Sequence, residues 1–163
     1  AGKGATLQEM KNLKVCAVIN DAVELAQMVR ATMASTVNVN CPENLDMKGC
    51  EPVLQQAIFN IVLNAMDAAD MGACIIEITA KRSLAVLTIA IEDNGPGIPD
   101  DHKVKVFESF YTTKEKGTGL GLLSAQLCAQ IHEGELTLCN SHLGGACFCM
   151  DLSMDVSENE LEA

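Results

Sequence analysis

Apolar residues recur at helical spacing over 15–33, where Val18, Ala22, Leu25, Ala26, Met28 and Val29 gather on one side of the helical repeat. Asn20 and Asp21 offer a later start for this helix. Residues 36–40 (TVNVN) alternate and are β-branched, which predicts a short strand. Residues 41–49, with Pro42 and Asn44, read as loop. A long helix is predicted over 51–69, with Pro52 suited to its first turn and Met71 and Gly72 ending it. Residues 74–81 (CIIEITAK) and 84–92 (LAVLTIAIE) alternate as two strands. Arg82 and Ser83 between them leave room only for a hairpin, whose turn type stays open. Residues 94–101 form a Gly/Pro-rich loop, and 102–116 are charged and mixed. A glycine-rich run, 117–121, leads into a helix over 120–132. Strands at 135–140 and 146–152 follow, with Gly144 and Gly145 between them.

The element order is helix, strand, helix, hairpin, loop, helix, hairpin. Helices grouped against a mixed, mostly antiparallel sheet give an α/β two-layer sandwich, with about five strands packed on about three helices. The domain is expected over 16–152. Residues 1–15 read as a linker or a cloning remnant, because 1–14 are polar and weakly patterned. Residues 153–163 read as a solvated acidic tail carrying Asp155, Glu158, Glu160 and Glu162.

Composition narrows the function classes. The 163 residues suit one domain, and 48% hydrophobic against 20% charged argues against disorder. Aromatics are 3% and Trp is absent, so the core must be aliphatic. Twenty-two acids against 11 bases give a net charge of -11, the wrong sign for a phosphate-tracking nucleic-acid binder. The longest nearly apolar run, 57–69, is broken by Asn60, Asn64 and Asp67 and falls short of a membrane span. No apolar run follows the first lysine, so the start is not a secretory signal. A cytoplasmic domain with reduced thiols is expected, leaving the membrane topology of any parent protein open. The 8 cysteines include no CxxC pair. Cys16, Cys74 and Cys128 read as small hydrophobes in apolar segments. Cys139, His142, Cys147 and Cys149 are a weaker candidate set for a metal held in a hairpin.

Four clusters carry chemistry. Asn60 and Asn64 are four apart on the long helix, so both carboxamides share one face, one turn apart. Asn is unfavourable at mid-helix, and amide oxygens are hard neutral ligands suited to Mg²⁺; the alternative is an exposed polar face. Asp93-Asn94-Gly95-Pro96-Gly97 ends an apolar strand. Its glycines permit close approach of a ligand, and its acid can accept from an exocyclic amine such as that of adenine. The alternative is a plain turn. Phe107-Glu108-Ser109-Phe110-Tyr111-Thr112-Thr113-Lys114 holds two of the four Phe and the single Tyr. It suits a lid with hydrophobic anchors and a phosphate-seeking lysine, or a surface loop pinned by its Phe residues. Gly117-Thr118-Gly119-Leu120-Gly121-Leu122 precedes a helix, where backbone N–H groups and the helix dipole favour an anion. No Lys-Ser/Thr pair follows, so it is not a P-loop; a ligand-free flexible loop is the alternative.

Taken in order, NxxxN, DxGxG, FxxFYTTK and GTGLGL closely resemble the N, G1, F and G2 boxes of the catalytic and ATP-binding domain of two-component sensor histidine kinases. The resemblance covers about 16–152. The TTK ending and the run LNAMDAA are similar to the nitrogen-regulator-type subgroup. The resemblance implies the Bergerat fold shared with gyrase, the Hsp90 chaperone and MutL. It implies ATP and Mg²⁺ as cofactors, with Asn64 on the metal and Asn60 supporting it directly or through water. Asp93 would bind the adenine amino group, Gly95 and Gly97 would shape the pocket, and Ile98 would line it. Residues 99–116 would be the ATP lid, with Lys114 on a phosphate. Gly117, Thr118, Gly119 and Gly121 would cradle the phosphates while Leu120 and Leu122 pack the helix start.

The sequence departs from the family pattern in places. Asp67 stands where many members carry a basic residue, and Cys147 precedes Phe148 where Thr or Ser is usual. The histidines are His102, His132 and His142, and none has the helical context of a phosphoacceptor. The acceptor His is therefore expected on a separate dimerisation domain, with a response regulator as the onward partner. The chain alone is expected to be monomeric, to bind ATP and to fail to phosphorylate itself. Three other functions share parts of this pattern: a gyrase-type ATPase, an anti-sigma-type serine kinase, and a non-catalytic docking module. A gyrase-type hydrolase would need a Glu at position 60.

Overall fold

The computed structural model describes residues 10–69, 73–98 and 121–155. Seven strands and three helices run through them: β1 (Met10–Lys14), α1 (Val15–Val29), β2 (Ser35–Asn40), β3 (Asp46–Cys50), α2 (Glu51–Ala68), β4 (Cys74–Ser83), β5 (Val86–Asp93), α3 (Gly121–Ile131), β6 (Glu135–Asn140) and β7 (Ala146–Ser153). The main sheet has five strands in the order β2-β4-β5-β7-β6. Its β2–β4 pair is parallel and the other three pairs are antiparallel. The three helices and five strands form the expected two-layer sandwich, with β5 at its centre.

Alternation decides which face of the sheet is buried. Ile76 and Ile78 of β4, Leu87, Ile89 and Ile91 of β5, and Met150 and Leu152 of β7 are buried against the helices. α1 meets them with Val18, Ile19, Ala22 and Ala26, spaced to share one stripe. α2 contributes Leu54, Ile58, Ile61 and Val62, and α3 contributes Ala125 and Cys128. The core is aliphatic, as the composition requires. Burying each large aliphatic side chain contributes about 1.5–3 kcal/mol.

Pro52 and Glu51 sit in the first turn of α2, where a missing N–H costs nothing and a negative charge complements the dipole. α1 ends at Val29, four residues before the expected end, because Arg30 leaves helical geometry. Its guanidinium instead makes a two-pronged pair with Asp67 of α2, at 2.8 and 3.1 Å. Asp67 therefore braces α1 against α2.

Three expected boundaries are corrected. Residues 10–14, read as linker, form β1, and residues 46–50, read as loop, form β3. The two strands pair antiparallel as a separate ribbon, from Met10↔Cys50 to Lys14↔Asp46. Residues 153–155, read as tail, also belong to the fold: Ser153 ends β7, Met154 is buried, and Asp155 bridges to Lys48. Among the described residues no helix is long and apolar enough to cross a membrane.

The expected reduced thiols are a fourth correction. Cys16–Cys41 and Cys139–Cys147 are disulfides. The first joins the start of α1 to the residue after β2. The second joins directly opposed positions of β6 and β7, where the antiparallel register brings the two Cβ atoms together.

Candidate functional site

Asp93 is the last residue of the central strand and is only 6% exposed. A buried carboxylate must be given hydrogen-bond donors. Two backbone N–H groups supply them: those of Gly95 and Ala146 donate to Oδ1 at 2.8 and 3.2 Å. The Asp93 carbonyl is held as well, accepting from the Gly145 N–H at 3.0 Å and the Ser141 hydroxyl at 3.2 Å. The strand end, the turn after it and the β6–β7 turn are therefore stitched together around one acid. Burial first, and the Asp93 charge second, push the nearby Cys74 thiol up, keeping it protonated.

The glycines divide by role. Gly97 adopts φ 77°, a left-handed conformation that favours glycine. A Cβ on Gly95 would lie 3.1 Å from Asp93 Oδ1 and 3.7 Å from the Ala68 carbonyl oxygen, so this turn passes close to the end of α2. Gly145 has the least room: a Cβ there would sit 2.6 Å from the Gly95 nitrogen and collide with both Oδ1 and the carbonyl of Asp93. Sequence reasoning treated Gly145 only as part of a hairpin turn. Asn94 is structural: its Oδ1 accepts from the Ile75 N–H at 2.9 Å and its amide donates to the Ala73 carbonyl at 3.1 Å.

On α2, Asn60 and Asn64 are both half-buried, one turn apart. The Asn60 carbonyl accepts from Gln56 at 3.1 Å, and its amide donates to Ser124 of α3 at 2.6 Å. The Asn face of α2 is therefore turned toward the first turns of α3, which begins at Gly121. Leu122 and Ile98 are partly buried and pack against the main core. Lys114, Gly117, Thr118, Gly119, Leu120, His102 and the expected lid 99–116 lie outside the described residues.

The histidines also separate. His132 is fully buried at the end of α3, and its Nε2 accepts from the Cys50 N–H at 3.0 Å. Its Nδ1 faces the Cys128 carbonyl at 2.7 Å, so Nδ1 carries the proton and the ring is neutral. Burial, opposed by that backbone bond, holds its pKa below the ordinary value. Burial also pushes the Cys128 thiol up to about 12, with Cys50 adding to it. The candidate metal set of His142 with three cysteines is not brought together. Cys139, Cys147 and Cys149 cluster by themselves, and His142 joins Glu77 and Glu92 instead.

A buried strand-end acid, an adjacent glycine turn and a helix face carrying two carboxamides thus belong to one two-layer sandwich. Residues 49–156 match the family described as "Histidine kinase-, DNA gyrase B-, and HSP90-like ATPase", and the chain belongs to this family. It is the ATP-binding catalytic domain of the sensor histidine kinase type. Sporulation kinase B of Bacillus subtilis is 29% identical over 150 residues, covering 92% of this chain and 35% of that protein. The signal transduction histidine-protein kinase AtoS of Escherichia coli is 35% identical over 108 residues, covering 66% of this chain and 18% of that protein. Among solved structures, the catalytic domain of histidine kinase ThkA superposes with a TM-score of 0.81 at 25% identity, over 90% of this chain and 97% of that one. The chain thus spans about a third or less of the curated kinases it matches.

Proposed function

We propose that this domain binds MgATP and donates the γ-phosphate to a histidine on a separate dimerisation domain, for relay to a response regulator. The observation that carries the reading is Asp93. A carboxylate buried at the end of the central strand and oriented by two backbone N–H groups is pre-set to accept from the adenine amino group. Gly95 and Gly97 leave the base room, and Ile98 supplies an apolar wall.

The residues fit Mg²⁺. Asn64 offers a hard amide oxygen on the helix face that Asn60 and Ser124 link to α3. Asn64 would hold the ion, with Asn60 behind it, and the ion supplies charge neutralisation at the phosphates. The glycine-rich run 117–121 would cradle those phosphates at the start of α3, with Thr118 and Lys114 beside them and Leu120 and Leu122 anchoring the turn. Positioning and electrostatics then carry the transfer. No general base is assigned within this chain.

The hydrolase alternative is disfavoured at position 60. An activated water needs a carboxylate there, and this chain has an amide whose two ends bond to Gln56 and Ser124. In the parent kinase, Asn64→Ala is expected to abolish autophosphorylation while the thermal unfolding midpoint stays close to that of the unmodified protein. Undiminished autophosphorylation would refute the assignment.

A further inference from the structure

The face of the main sheet turned away from the helices carries an unusual pair. Glu77 of β4 stands directly opposite Glu92 of β5 in the antiparallel register. Both alternate with core residues, Ile76 and Ile78 on one strand and Ile91 and Asp93 on the other, so both point to the outer face. Two carboxylates at facing positions destabilise a strand pair unless a positive charge lies between them.

His142, in the turn between β6 and β7, closes over the pair. Its Nε2 lies 2.7 Å from Glu77 Oε2, and its Nδ1 contacts Glu92 Oε1. The Glu92 side chain is only 12% exposed, and its Oε1 is buried with His142 Nδ1 as its polar neighbour. A buried carboxylate oxygen needs a positive partner, which either a proton on the imidazole or a metal ion supplies. One ligand atom from each of the three residues lies within 4.8 Å of the other two. Zinc takes one imidazole nitrogen and carboxylate oxygens at about 2.0–2.2 Å, so the ring must turn to present a single nitrogen to both carboxylates. The imidazole, 70% exposed, has room to turn.

We propose that Glu77, Glu92 and His142 form a binding site for a divalent transition-metal ion of the zinc class, completed by water. Two carboxylates and a neutral imidazole balance the ion's charge. A mixed nitrogen and oxygen set favours such an ion over Mg²⁺, which takes oxygen ligands in a near-ideal octahedron. The site is distinct from the neighbouring thiols, since Cys139 and Cys147 are bonded to each other and offer no thiolate. It is independent of the nucleotide reading, although the turn that carries His142 also braces Asp93 through Ser141 and Gly145.

The test is calorimetric titration of Zn²⁺ into the metal-free whole chain without reductant, with folding checked by circular dichroism. One ion is expected to bind, at least about tenfold more weakly in His142→Ala and in Glu77→Gln, and with unchanged affinity in Cys149→Ser. Co²⁺ bound at the same site should show ligand-field bands without a thiolate charge-transfer band. Absence of binding to the folded chain would overturn the proposal and leave His142 as a simple ion-pair bridge. Binding that survives His142→Ala, or that needs Cys149, would overturn it equally.

Discussion

Asp93 and His132 are the buried polar side chains among the described residues, and each is held by backbone groups from distant segments. For Asp93 the consequence falls on a residue that makes no side-chain contact at all. Gly145 donates its N–H to the Asp93 carbonyl, and the space where its Cβ would sit is filled by Asp93 and Gly95. Gly145→Ala must therefore push the β6–β7 turn away from the strand end. A loss of about 1–3 kcal/mol of stability is expected from the overpacking, with ATP affinity reduced at least about tenfold because the carboxylate loses its orientation. Denaturant unfolding and nucleotide titration of the variant check this; unchanged affinity would show that the turn does not set the acid's position. The place of Asp93 at a strand end and of the two Asn on one helix face was legible in the sequence, because alternation stops at the one and four-residue spacing aligns the others. Gly145 and the Glu77–Glu92–His142 cluster were not, because their partners are brought in by sheet register.

At the scale of elements, strong periodicity was readable and weak periodicity was not. β4 and β5 alternate cleanly, and α2 carries a full apolar stripe between recognisable ends. β1 buries only Met10 and Leu13, three apart, so it has no two-residue alternation to read. β3 (DMKGC) has an equally poor pattern and exists because β1 pairs with it. Its position relative to α3 is set by His132, whose Nε2 accepts from Cys50 and lies 2.8 Å from where a Cβ of Gly49 would be. That bond requires a neutral ring. His132 has its pKa lowered by folding, so the unfolded chain takes up a proton first as pH falls. This contribution to stability is fully present above about pH 6.5 and is lost as pH falls below it through the lowered folded value. Urea unfolding between pH 5 and 8 should show a steeper loss of stability on acidification in the unmodified chain than in His132→Gln. Parallel pH profiles would contradict this role.

At the scale of the whole molecule, the sandwich packs together three segments far apart in sequence. α2 brings the two carboxamides, the central strand brings Asp93, and Ser124 of α3 meets Asn60. The order of these motifs was readable, and so were the fold class and the kinase family they imply. The disulfides and the extra ribbon were not, since both depend on packing between elements that carry no periodic signal. The central claim is that Asp93 anchors adenine. Its most direct test is calorimetric titration of ATP into this chain, with Mg²⁺ and then with EDTA, beside the Asp93→Ala variant. The account predicts binding in the micromolar to millimolar range, weakened by EDTA and lost in the variant. Absence of binding to the folded protein, or equal affinity in Asp93→Ala, would contradict it.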